Sequence, residues 1–173
     1  MSTKFIYALT LTVCGAVLNL LLYFTGFQTE KLATGQYIQW VGFVIMIVVL
    51  TLGIKAVREE NEGKYLTYGQ GVGTGTLISL YSGLMSSVYT YIHFRFVNPE
   101  FADYQLALIR TKWAAAGLSD AQMERAEGVT RMLMGPGVQA CLAPIFVVLF
   151  GLILSLIISA FLKRNPPPEG TVG

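Results

Sequence analysis

The chain has 173 residues, 54% of them apolar and 13% charged, with a formal charge of +2. Globular domains carry about 25% charged residues, so this composition is that of a chain meeting lipid and not of an ordinary soluble domain. The small net charge gives no footing for nucleic acid or an acidic partner, and Cys14 and Cys141 make no metal-binding spacing.

Four stretches reach the roughly 20 mostly apolar residues that a bilayer crossing takes: residues 5–27, 37–57, 69–94 and 138–162. The pattern predicts an all-α polytopic membrane protein, one four-helix domain over residues 1–165. The first span follows Lys4 but exceeds a signal-peptide core of about 7–15 residues, and no A-x-A-like site closes it, so it is read as a retained helix. Within it Asn19 is the strongest polar residue. Intramembrane polar groups are costly and face the bundle interior, which predicts an interhelical hydrogen bond there, or a contact to an ion or substrate. A short polar link, QTEKLATGQ, leads to the second span. REENEGKYLTYG then turns the chain back, with Asn61 to Gly63 able to supply the reversal.

The third span opens with Gly69, Gly71, Gly73 and Gly75. A dinucleotide fingerprint needs G-x-G-x-x-G and a P-loop needs a lysine after its last glycine; neither is present. At 100° per residue, Gly69 and Gly73 share one side of a helix and Gly71 and Gly75 the other, two interleaved G-x-x-x-G pairs. Ser79, Ser82 and Ser86 continue the Gly71/Gly75 side. Small residues let helix backbones approach closely, so this span is expected to be central and flanked on two sides near its start. A glycine hinge, or a thin wall beside a ligand path, is the functional alternative. His93, beside Arg95 at the far end, is expected to anchor at the membrane interface.

Asn98-Pro99 ends the span. Residues 99–135 read as an extramembrane helical hairpin, its first helix showing Phe101, Tyr104, Leu108 and Trp113 on one side and stopping at Gly117. Ser119 and Gln122 form a capping-box pattern for the second, which shows Met123, Ala126, Thr130 and Leu133. Phe101 and Trp113 are the candidate partner contacts. In the last span Pro144 should kink the helix and free the carbonyl of Ala140. The tail, residues 166–173, is expected to be disordered.

Charge is confined to the connections. Lys4, Lys55, Arg58, Lys64, Lys163 and Arg164 lie toward one side, and Lys31, Arg95, Arg110, Lys112, Arg125 and Arg131 toward the other. The first group hugs the span ends in shorter segments, where the positive-inside bias acts. Both termini are therefore placed in the cytoplasm and the hairpin in the periplasm of a bacterial inner membrane. No internal repeat suggests inverted-repeat transport. No catalytic, cofactor-binding or metal-ligating residue is assigned, and no cofactor: the spans hold no Asp or Glu, and H-E-x-x-H and G-x-S-x-G are absent.

Three segments carry a resemblance: Gly63-Lys64-Tyr65-Leu66-Thr67-Tyr68-Gly69-Gln70, Asn98-Pro99-Glu100-Phe101, and Gly117-Leu118-Ser119. In order and spacing the chain resembles the four-span membrane proteins of domain-of-unknown-function family 4199, common in Bacteroidota. Its glycines after Gln70 are denser than the family pattern implies. The resemblance implies no established activity and no functional residues. It associates such proteins with accessory roles beside membrane glycosyltransferases. The expected function is thus a non-enzymatic accessory or scaffold subunit, in contact with the bilayer and with another integral membrane protein or further copies of itself. A small oligomeric transporter, lined by Asn19, Ser79, Ser82 and Ser86, is the alternative, and an enzyme acting on lipid is weaker still.

Overall fold

A computed structural model describes residues 1–38 and 40–166; the tail expectation lies outside them except for Pro166. The architecture is all-α. Helix α1 covers Thr3–Phe24, α2 Leu32–Ile38, α3 Trp40–Glu60, α4 Tyr68–Ile92, α5 Phe101–Ala115, α6 Asp120–Leu133 and α7 Pro136–Leu162. Three helical stretches are long and apolar enough to cross a membrane: Thr3–Phe24, Leu32–Glu60 and Pro136–Leu162. Helix α4, at 25 residues, is as long, but its glycine, serine and threonine dilute its apolar character.

Local chemistry sets the ends. Thr67 accepts a hydrogen bond from the Gln70 backbone while the Gln70 side chain accepts from the Thr67 backbone, and Ser119 and Gln122 do the same for α6. Such reciprocal caps satisfy two of the donors a helix start leaves bare. Gly117 follows α5 at φ +80, a left-handed conformation open to glycine for want of a Cβ. Leu66 and Arg164 exchange backbone bonds of 2.8 and 2.9 Å, stitching the start of α4 to the end of α7.

The core gathers Ala8 and Leu11 from α1, Leu50 and Ile54 from α3, Ile78 from α4, and Leu154 and Ile158 from α7. Helices α4 and α7 run against one another along a seam of small residues. A side chain added at Gly71 would meet Ser159 Oγ at 2.6 Å, one at Gly75 would meet Ser155, one at Gly151 would meet Ser79, and one at Gly83 would meet the Pro144 Cα at 3.0 Å. The register is antiparallel, serine opposite glycine in both directions. Ser79 and Ser155 donate back to the carbonyls of Gly75 and Gly151, at 2.9 and 2.5 Å, so their hydroxyls are satisfied within their own helices.

Two features differ from expectation. The polar link after α1 contains a helix, α2, and buries Gln28, Leu32 and Gly35. The far end of α4 widens into a π-helical turn, His93–Val97, closed by the Asn98 N–H on the His93 carbonyl at 2.8 Å. Beyond it, α5 and α6 are joined by Arg110–Glu127 at 3.5 Å and Arg131–Asp103 at 2.8 Å. Exposed pairs of this kind are worth about 0–1 kcal/mol, so they align the two helices more than they stabilise them. Outward, α1 presents Leu9, Val13, Val17 and Leu21, and α3 presents Trp40, Val44, Val48 and Leu52, stripes at the four-residue spacing of one helix side.

Candidate functional site

A buried polar cluster lies where α1, the following turn and the end of α4 meet. Gln28 is 3% exposed, His93 1% and Asn98 2%. Gln28 turns its Nε2 to Asn19 Oδ1. Its Oε1 accepts from His93 Nε2 at 2.9 Å and from Asn98 Nδ2 at 3.4 Å. In this arrangement His93 carries its hydrogen on Nε2, and Nδ1 offers a lone pair to the Tyr89 hydroxyl at 3.2 Å. The same hydroxyl lies 3.1 Å from the Ala16 carbonyl, so one hydrogen is shared between two acceptors, one on α1 and one on α4. Tyr23 and Phe94 pack edge-on against the imidazole, with ring centroids 6.0 and 5.1 Å away.

His93, 1% exposed, is therefore not the interfacial anchor that its place beside Arg95 suggests. The π turn inserts one residue into the helical advance at the point where the histidine faces inward. The exposed aromatics of this stretch are instead Tyr91, 45% exposed, and Phe96, 71% exposed.

Beside the cluster a cleft of about 360 Å³ has Gly15, Asn19, Gln28, Phe94, Phe101 and Gln139 among its walls. Its polar groups are amides. Among the described residues no group of three or more His, Cys, Asp or Glu is placed to hold a metal ion. The arrangement can lock three chain segments together by hydrogen bonds and can receive an uncharged polar group.

Residues 6–164 match the model of the family described as protein of unknown function (DUF4199). The chain belongs to this family. No curated protein and no solved structure matches it. In this DUF4199 chain, the segments that carry the resemblance are points of structural decision. Gly63 takes φ +66 in the turn before α4, Leu66 is fully buried in the stitch to Arg164, and Thr67 and Gln70 cap α4. Asn98 closes the π turn and joins the polar cluster, while Phe101 stacks on Phe94 at 4.5 Å.

The remaining sequence candidates divide. Gly71, Gly75 and Ser79 are brought together in the seam with α7. Ser82 is buried and meets the Thr12 hydroxyl of α1 at 3.1 Å. Ser86 is half-buried. Gly69 and Gly73 are exposed and have open space where a Cβ would go, so the close packing expected on that side of α4 is missing near its start. Phe101 is 9% exposed; stacked on Phe94, it is an internal contact and not an outward docking residue. Trp113 is half-buried. Cys14 and Cys141 are both free.

Gln28, Tyr89 and Asn98 escape sequence reasoning. The four-residue step from Tyr89 to His93 is a usable signal that the two share a helix side. Nothing in a polar link marks Gln28 as buried.

Proposed function

We propose that this protein is a non-enzymatic subunit of a bacterial inner membrane that binds and steadies another integral membrane protein. In this reading α4 is a fourth crossing, both termini are cytoplasmic, and residues 99–135 form a periplasmic helical hairpin. The observation that carries it is the α4–α7 seam. Ser159, Ser155 and Ser79 fill the space opposite Gly71, Gly75 and Gly151, and the hydroxyls of Ser79 and Ser155 are bonded within their own helices. A path between these helices has no room, and the unbonded Ser159 hydroxyl is closed against Gly71. The outward stripes of α1 and α3 leave broad apolar faces for lipid and for a partner's helices. A membrane glycosyltransferase is the partner class to look for first.

The test is recovery of the chain at native expression in mild detergent, through a C-terminal tag, with companions identified by mass spectrometry. One membrane protein in stoichiometric amount is the expected result, with recovery reduced by Trp113→Ala. A homo-oligomer with no companion that passes ions or small solutes in liposomes would replace this proposal with a transporter.

A further inference from the structure

At the opposite end of the bundle from the histidine cluster, a second pocket of about 280 Å³ is lined by Lys4 of α1, Asn61 after α3, and Gln70, Gly73 and Thr74 of α4. Three observations bear on what it can hold. First, Thr74 is 2% exposed, yet among the described residues its hydroxyl has no hydrogen-bond partner. Thr12, Thr51, Thr76 and Thr130 all donate to the carbonyl four residues back; Thr74 does not, and it borders the pocket. Second, Lys4 is half-buried and makes no ion pair among the described residues. On this edge Glu60 is bonded to the Thr3 hydroxyl. Third, Gln70 uses its Oε1 on the Thr67 N–H, which leaves its amide hydrogens to give, close to the first-turn N–H groups of α4 that have no partner within the helix.

Lys4, Gln70 and Thr74 can donate here, with one positive charge and no carboxylate, while Asn61 spends its Nδ2 on the Tyr65 carbonyl at 2.8 Å and turns Oδ1 outward from that bond. Such a set matches a phosphate group, whose oxygens only accept. Thr74 stands four residues past Gln70, about 6 Å along the helix at 1.5 Å per residue. A ligand reaching both Gln70 and Thr74 therefore uses a second acceptor about one helical turn below its phosphate. A glycerophospholipid has one in its ester carbonyls. Gly73, with nothing where a Cβ would go, leaves that side open to the bilayer. No acid lines the pocket to meet a choline or ethanolamine ammonium, so the fit favours an anionic headgroup.

We propose that this pocket binds the phosphate and ester of an anionic phospholipid, with Lys4 and Gln70 on the phosphate and Thr74 on the ester. The proposal rests on α1 and α4 crossing the membrane, and not on the identity of any protein partner. The test is native mass spectrometry of the full chain in mild detergent, given equal amounts of phosphatidylglycerol and phosphatidylcholine with the same acyl chains. Phosphatidylglycerol should be retained in roughly fivefold excess, the effect of one lysine near an anionic surface. Lys4→Gln should abolish the excess. Thr74→Val, and independently Gly73→Leu, which fills the pocket, should lower retention of either lipid without lowering the melting temperature. Lys163→Gln, outside the pocket, should change nothing. Displacement of the lipid by millimolar inorganic phosphate would keep the phosphate site and assign it to free phosphate, whereas persistence assigns it to lipid. Equal retention of the two lipids by the unmutated chain, or the same loss in Lys163→Gln as in Lys4→Gln, would overturn the site.

Discussion

Gln28, in the polar link after α1, is 3% exposed. It bonds Asn19 on α1, His93 at the end of α4 and Asn98 beyond it. Replacing it by leucine removes all three bonds and leaves buried groups bare, at about 1–3 kcal/mol for each group left unsatisfied. Gln28→Leu should therefore lower the melting temperature in detergent clearly more than His93→Leu does; equal effects would mean the cluster does not act through Gln28. Pro144 shows the same logic on a single atom. It cannot donate to the carbonyl of Ala140, four residues back, and the Ser87 hydroxyl donates there instead at 2.7 Å. Ser87→Ala should cost about 0.6–1.7 kcal/mol, the span for interhelical bonds in a bilayer, and Pro144→Ala in the same chain should recover most of it by restoring the helix's own donor.

Among the elements, the pairing of α4 with α7 is where small residues decide the outcome. Gly75 and Ser155 form a hole and a knob, and Gly151 and Ser79 form the reverse. Gly75→Ser alone should destabilise by about 1–3 kcal/mol, the range for overpacking. Adding Ser155→Gly moves the knob to the other helix and should restore most of the stability, a coupling that thermal unfolding of the four variants would measure. Gly73→Ala is the control. Its Cβ meets open space, so it should be neutral or stabilising by up to about 1 kcal/mol from helix propensity alone. A loss in Gly73→Ala as large as that in Gly75→Ser would mean that both sides of α4 are packed. The seam was half legible beforehand. Gly71, Gly75 and Ser79 stand out in the third apolar stretch, but Gly151, Ser155 and Ser159, at the same four-residue steps in the last one, complete it and are masked by strongly apolar neighbours.

For the molecule as a whole, charge separates the two ends. Lys4, Lys55, Arg58, Lys64, Lys163 and Arg164 gather with Glu59, Glu60 and Glu62 at the end holding the proposed lipid site, whereas the other end matches six cations with six acids. The cationic excess suits the cytoplasmic leaflet. In a chain with Cys14→Ser and Cys141→Ser, Ala116→Cys should react with a membrane-impermeant maleimide in spheroplasts, and Glu62→Cys should react only after permeabilisation. Labelling of both before permeabilisation would remove the proposed topology.

Much of this architecture could be read directly from residue order. Long apolar runs free of acids determine an all-α membrane class, because backbone polar groups in lipid must be satisfied within the chain. Thr67 with Gln70, Ser119 with Gln122, and Gly117 mark helix ends through local bonding that needs no distant partner. What periodicity leaves open is which side of a helix meets another helix and which meets lipid. In water, burial of the apolar side answers that; in a bilayer both surroundings are apolar, and the difference rests on packing and hydrogen bonds between segments far apart in the chain. Hence only the tertiary structure turned Gly71 and Gly75 inward and left Gly69 and Gly73 open, drew His93 from the expected interface into a cluster with Gln28, and placed Phe101 inside against Phe94.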